Sequence, residues 1–314
     1  MAAILTVQNL GKRYGKLEAV QNLSFEIEQG SVFGFIGPNG AGKTTTMRIL
    51  TTLLKPTSGE ASVAGHSITH DPRGVRRAIG YMPDFFGVYH DMKVWEYLDF
   101  FAACYDIPES QRPKLIEDLL QLVDLSHRRD DMVDSLSRGM KQRLCLARTL
   151  AHDPQVLILD EPAAGLDPRA RVEMRELLRE LGAMGKTIFF SSHVLSEVEE
   201  ICTHIGIVEA GQLVAAGSVD EMRRRLTPHR VVRLVILDKL PQAKEILMRV
   251  PGVTEVADVP ERPNHLRLSL TGDDAALAEA LRALVASDVP VSSFNEETGD
   301  LEDVFMRLTK GIVS

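Results

Sequence analysis

The order of apolar and polar positions divides the chain in two. Through about residue 218, short apolar runs alternate with longer segments of helical period. ILTVQNL (4–10) alternates as a half-buried strand does. SVFGFIG (31–37), VLILD (156–160) and TIFFSSH (187–193) are compact apolar runs of the kind buried in a parallel sheet. Helical patterns fall at roughly 43–54, 93–105, 112–123, 139–151 and 168–184. The alternation predicts an α/β domain over 1–218 with a largely parallel sheet. After GSVDEMRRRLTPHR the pattern changes, and a linker is expected over 219–230, where a short basic helix ends at Thr227 and Pro228. Over 231–314 the order is strand (VVRLVIL), helix (PQAKEILMRV), strand (TEVADV), strand (HLRLSL), helix (DDAALAEALRALVAS), strand (VPVSSFN) and a closing helix (LEDVFMRLT), which is the ferredoxin-like α+β order. No internal repeat accompanies it, so one copy of each domain per chain is expected.

Composition narrows the picture. With 314 residues and 44% hydrophobic content, the chain can bury two ordinary cores. A net charge of −8 and a pI near 5.6 argue against nucleic acid as a partner, because phosphate neutralisation needs clustered Lys and Arg. Arg223, Arg224 and Arg225 read as the solvated face of a short helix, with a lipid or RNA patch as the rival reading. Three cysteines without C-x-x-C spacing fit a reducing compartment. The N-terminus lacks the pattern of a signal peptide, and no segment approaches the roughly 18 apolar residues of a membrane span. The chain is therefore expected to be soluble, with any spanning helices supplied by another polypeptide.

Three stretches carry chemistry. GPNGAGKT (37–44) follows an apolar strand and opens a helix, the context that the G-x-x-x-x-G-K-[ST] phosphate loop requires. Gly37, Gly40 and Gly42 let the backbone N–H groups turn inward, and the helix N-terminus adds partial positive charge. Lys43 is placed to neutralise β- and γ-phosphate oxygens, Thr44 to coordinate Mg²⁺ and Thr45 to bond the α-phosphate. VLILDEP (156–162) puts Asp160 at a strand end as an outer Mg²⁺ ligand, and Glu161 beyond it as a carboxylate able to polarise water. His193 closes TIFFSSH at the same sheet edge, where an imidazole can meet the γ-phosphate. A second phosphate-like cradle, LSRGMKQRL (136–144), has no evident use within one nucleotide site.

GPNGAGKTT, LSRGMKQ, VLILDEP, AAGLD and His193, in that order, resemble the ATP-binding subunit of an ATP-binding-cassette (ABC) transporter. The closing LEDVFMRLT looks like the tail of subunits serving exporters whose membrane protein is a separate chain. The resemblance implies a phosphate-loop ABC ATPase fold with antiparallel edge strands and a helical subdomain over about 85–150. It assigns the whole loop (Gly37, Pro38, Asn39, Gly40, Ala41, Gly42, Lys43, Thr44 and Thr45) to ATP, with Tyr14 stacked on adenine. Ser137 and the Gly139 backbone would contact the γ-phosphate held by a second copy, so that a homodimer sandwiches two Mg·ATP. Asp167 would bridge the protomers or cap the helix before Pro168. An integral-membrane subunit on a separate chain is the implied partner, placing the protein at the cytoplasmic face of the cell membrane. Phe85, Phe86, Val88 and Tyr89, with the helical segment to about residue 125, would form its dock, or be buried in part as core.

Two positions depart from the family. The usual LSGGQ becomes LSRGM, with Arg138 for the first glycine and Met140-Lys141 at the glutamine; Arg138 either adds charge near the partner's nucleotide or points outward. Asp84 stands where glutamine is common, keeping an oxygen for metal but losing an amide for water. The implied activity is ATP hydrolysis that powers export. A soluble ABC ATPase acting on ribosomes or DNA, and a non-hydrolysing regulatory module, are the alternatives.

Overall fold

The computed structural model describes residues 2–85, 87, 91–226, 230–259, 262–297 and 305. One unit ends at Val219 and a second begins at Asp220.

In the first unit, the strands β1 (Ala3–Tyr14), β2 (Leu17–Glu28), β3 (Val32–Ile36), β4 (Ser58–Val63), β5 (His66–Ser67), β6 (Ile79–Met82), β7 (Val156–Leu159), β8 (Thr187–Ser192), β9 (His204–Glu209) and β10 (Gln212–Ser218) form two sheets. The larger has the order β10-β9-β3-β8-β7-β6 and is parallel except for the edge strand β10. Its central strands β3, β7 and β8 are buried at every residue, which explains why their sequences are apolar runs rather than alternations. The smaller sheet, β2-β1-β4-β5, is antiparallel. Antiparallel pairing is thus concentrated in a separate sheet, beyond the edge strands expected from the family.

The two sheets share one core. Phe25 of β2 lies 5.7 Å from Phe33, 5.6 Å from Phe35 and 5.8 Å from Phe189, centroid to centroid. Four aromatic rings at these separations bury large area and also gain from ring-to-ring electrostatics. The helices are α1 (Lys43–Leu50), α2 (Pro72–Ala78), α3 (Val94–Cys104), α4 (Arg112–Leu122), α5 (Arg138–Leu150), α6 (Pro168–Ala183) and α7 (Leu195–Ile201). α1 stops four residues before the expected 54, because the chain turns at Thr52 with φ +62°. α3 to α5 form the helical segment, held by buried Tyr97, Leu98, Ile116, Leu120 and Leu144, with Arg148 Nη1 donating to the Tyr97 hydroxyl at 3.0 Å.

Parallel order decides where the chemistry gathers. In open α/β sheets, ligands sit beyond the carboxyl ends of the strands. Here β3, β8, β7 and β6 are successive neighbours, and they deliver the phosphate loop, His193, Asp160-Glu161 and Asp84 to the same edge.

The second unit opens with α8 (Val219–Leu226, its first residue closing the first unit), so the expected 219–230 linker contains two helical turns. β11 (Arg230–Ile236), α9 (Leu240–Met248), β12 (Val253–Asp258), β13 (His265–Leu270), α10 (Asp274–Ala286) and β14 (Val291–Glu297) follow. The antiparallel order β12-β13-β11-β14 is that of a ferredoxin-like sheet. Register places Val232 opposite Leu268 and Leu234 opposite Leu266, all fully buried, so alternation in both strands feeds one core with Leu247 and Leu284 of the helices. The expected closing helix (301–309), apart from Phe305, lies outside the described residues, as do Phe86, Val88, Tyr89, Thr227, Pro228 and the side chains of Arg223, Arg224 and Arg225.

Candidate functional site

The loop after β3 curls around its own helix start. Gly42 caps α1 at φ +96°, and a Cβ there would strike the Ala19 carbonyl oxygen, so only glycine fits. Lys43 is 6% exposed; its Nζ donates to the carbonyls of Gly37 at 2.6 Å and Pro38 at 3.2 Å. Burial lowers its pKa, while the neighbouring Glu161 and Asp160 carboxylates oppose that shift. The loop is braced from behind. Gly211 N donates to Ala41 O at 3.1 Å, and Gln21 N donates to Gly211 O at 2.8 Å, tying the loop to the β9–β10 turn and to β2. That turn has Ala210 at φ +47° and Gly211 at φ +79°, the two left-handed residues of a type I′ hairpin.

The strand ends β7 and β8 interlock through one hydroxyl. Ser191 Oγ donates to Asp160 Oδ1 at 2.7 Å and accepts from Glu161 N at 2.9 Å. Asp160 is 1% exposed, and burial raises its pKa against the lowering effect of the Ser191 and Thr44 hydroxyls. Its Oδ2 is buried without a partner in hydrogen-bonding geometry, although Thr44 comes near enough to act on the carboxylate. A buried carboxylate oxygen with no donor beside a threonine hydroxyl is a hard-oxygen set that suits a divalent cation. Among the described residues no three acidic, histidine or cysteine side chains cluster to cage a metal unaided. Mg²⁺ commonly completes such a small protein set with water and phosphate oxygens.

Glu161 occupies the left-handed region at φ +51°, a conformation costly for a side chain of this size and held here by its neighbours. One carboxylate oxygen stands 2.8 Å from His193 Nδ1, and the other 3.6 Å from Lys43 Nζ. His193 is half exposed. These groups line a cavity of about 490 Å³ with Asn39 to Thr45, Asp84, Ala164 and, at its mouth, Tyr14, Leu17 and Ala19. Tyr14 is 46% exposed and lies under Lys12 Nζ at 5.3 Å.

Of the residues singled out from sequence, Tyr14, Asn39, Gly40, Ala41, Gly42, Lys43, Thr44, Thr45, Asp84, Glu161 and His193 thus face one cavity. Gly37, Pro38 and Asp160 support it from behind. Ser137, Gly139 and Asp167 do not line it. Ser137 caps α5, accepting from Met140 N at 3.3 Å, and is exposed. Asp167 caps α6, accepting from Ala170 N at 3.0 Å.

Residues 20–164 match the family model described as ABC transporter, and residues 217–309 match that of the ATP-binding protein DrrA1-3-like C-terminal domain. The chain is 35% identical to a Nod factor export ATP-binding protein I of Ralstonia nicotianae, over 98% of this chain and 94% of that one. The chain belongs to the ABC transporter family. It is an ATPase subunit of that family with a DrrA-like C-terminal domain. It is also 30% identical to the linearmycin resistance ATP-binding protein LnrL of Bacillus subtilis, over 98% of each chain. The solved structure of cbiO1 from Clostridium perfringens, described as part of the cbiONQ transporter complex, superposes with a TM-score of 0.64 at 27% identity over 80% of this chain and 97% of that one.

Two polar residues of the cassette were not anticipated from sequence. Ser191 joins Asp160 to Glu161; its signal was a pair of serines at the end of an otherwise apolar buried strand. Gln142, 3% exposed, sends Nε2 to the Pro162 carbonyl at 2.5 Å, and its signal was a glutamine on the apolar face of α5. Phe85, expected at a docking surface or in the core, is 88% exposed. Among the described residues no helix is long and apolar enough to cross a membrane.

Proposed function

We propose that the chain hydrolyses ATP as a homodimer closed around two Mg·ATP, and that closure and reopening drive export through a separate integral-membrane subunit. The observation that carries this reading is an incomplete cavity: one chain assembles a phosphate loop, Glu161 and His193 around it, while Ser137 and Gly139 stay outside. The exposed N-terminus of α5 is then free to cap a second chain's triphosphate, aided by the helix dipole. Tyr14, which lines the cavity, would stack on adenine, and Asp167, which caps α6, would lie near the seam between the chains.

Lys43 and the loop N–H groups bind the phosphates. Thr44 and Asp160, with Asp84 at the rim, would hold Mg²⁺, which when bound neutralises charge on the β- and γ-phosphate oxygens. Glu161 acts as general base toward water. In the neutral imidazole one ring nitrogen carries a hydrogen, and at 2.8 Å that hydrogen is engaged by Glu161. A γ-phosphate at this edge competes for it, so its arrival frees the carboxylate to take a proton from water.

The names of the relatives support the transport reading. They describe export of Nod factor and resistance to linearmycin, and cbiO1 is described within a transporter complex. A separate membrane partner places the chain at the cytoplasmic face of the cell membrane. Nothing in these relatives favours a ribosome- or DNA-directed role or a non-hydrolysing module.

Glu161→Gln tests the reading. With Mg·ATP the variant is expected to elute as a dimer by light scattering and to release phosphate at least ~100-fold more slowly than wild type, the scale of general-base catalysis. Undiminished turnover removes Glu161 as base; a monomer under all nucleotide conditions removes the sandwich.

A further inference from the structure

Arg138, where the family usually has glycine, is exposed, but its guanidinium folds back onto the chain's own surface. It is the first residue of α5, and its Nη2 donates to the Ala164 carbonyl at 3.1 Å. The guanidinium also lies flat on Gly165: a Cβ built there would be 2.6 Å from Nη1, and nearer still to Cζ and Nη2. Gly165 has φ +68°, so both its missing side chain and its left-handed backbone suit this approach.

The contact belongs to a three-point seam. Gly139 of α5 sits so close to α6 that an added Cβ would be 2.9 Å from Ala170 Cβ. One turn further on, Gln142 reaches the Pro162 carbonyl at 2.5 Å from a buried position. Residues 142, 138 and 139 therefore hold, in that order, the start, middle and end of the segment that runs from Pro162 through Ala164 to Ala170. That segment leaves Glu161 directly, Ala164 N donates to Glu161 O at 3.0 Å, and Ala164 lines the nucleotide cavity.

We infer that Arg138 is a positioning residue that couples the two halves of the nucleotide machinery within one chain. This rests on the sandwich reading above. When a second chain's triphosphate engages Ser137 and Gly139, any shift of the head of α5 is passed through Arg138 to the Ala164–Gly165 peptide, and so to the wall of the chain's own cavity. Glycine at 138 would leave the middle of the segment unheld. The planar guanidinium is needed for this, because it stacks and donates together, whereas an ammonium is a point charge without a plane. Arg138 has no contact with the cavity itself, so the coupling is distinct from binding.

Coupling of this kind is read as cooperativity between the two sites. The test compares wild type, Arg138→Ala and Arg138→Lys in the full chain, using a fluorescent ADP analogue for single-chain affinity and phosphate release against ATP concentration for cooperativity. Wild type is expected to hydrolyse ATP cooperatively, with a Hill coefficient approaching that of two linked sites. Both variants are expected to bind the analogue within about twofold of wild type, to lose cooperativity and to turn over roughly tenfold more slowly at saturating ATP. Cooperativity retained in Arg138→Ala, or restored in Arg138→Lys, overturns the inference, the latter by showing that charge alone suffices. A wild-type chain that hydrolyses without cooperativity, and whose Glu161→Gln variant stays monomeric in Mg·ATP, overturns the sandwich and the inference with it.

Discussion

His193 Nδ1 stands 2.8 Å from one oxygen of Glu161, while the other oxygen of that carboxylate faces Lys43 Nζ at 3.6 Å. Lys43 is buried and carries the phosphate-loop carbonyls, so Glu161 is clasped by a rigid group on one side and by a half-exposed ring on the other. The ring is the part that can let go. His193→Ala is expected to keep nucleotide affinity within about threefold but to lower phosphate release by roughly 10²-fold. Single-turnover phosphate release beside equilibrium nucleotide binding checks it; a parallel loss of both would make His193 a binding residue.

The orphaned oxygen of Asp160 gives a metal-dependent prediction. Asn keeps an oxygen for the Ser191 hydroxyl but removes the charge that a cation would meet. In Asp160→Asn, calorimetry in EDTA is expected to give an ATP affinity within about threefold of wild type, while the gain on adding Mg²⁺ shrinks by about tenfold or more. An undiminished gain would place the cation elsewhere.

Gly139 carries a steric prediction. A methyl there would be 2.9 Å from Ala170 Cβ, so α5 and α6 must part. Gly139→Ala is expected to cost about 1–3 kcal/mol of stability, the range for overpacked contacts, measured from urea midpoints. Adding Ala170→Gly removes the opposing methyl and is expected to recover part of the loss, as coupled neighbours do. Independent, additive effects would contradict the contact.

Tyr81 of β6 supplies the pH dependence. Burial, and next the Asp160 carboxylate, push its phenol from 10.0 to about 12, with Arg48 opposing. The unfolded chain therefore releases this proton first. Between pH 10 and about 12 the folded state holds more protons, and stability falls as pH rises through that window. Phenolate absorbance is expected to show one tyrosine titrating late, and Tyr81→Phe to flatten the stability profile there. An unchanged profile in the variant would assign the alkaline loss to other groups.

The central strands were legible because they are buried on both faces and so read as apolar runs; VFGFI, VLIL and TIFFSS all fall where expected. Their shared carboxyl edge followed from that, and it brought the phosphate loop, Asp160, Glu161 and His193 together. The antiparallel sheet was harder to read. β1 and β2 alternate over ILTVQNL and LSFEIE as half-buried strands do, but β4 is exposed over its first three residues and β5 has only two, too few to show a period. Ser191 and Gln142 were hidden for another reason. Each bonds only at long sequence separation, 20 to 31 residues away, so nothing local marks it. Arg138 was visible as a departure, yet its direction depended on the backbone of Gly165, which no pattern of side chains reveals.

The brace behind the phosphate loop has a thermodynamic corollary. Because Ala41 is pinned through Gly211 to Gln21, a triphosphate meets a receptor already shaped for it and does not have to organise one. Little of its affinity is then consumed in ordering the chain that receives it. On the sandwich proposed above, the remainder would be available as work for drawing a second molecule into register.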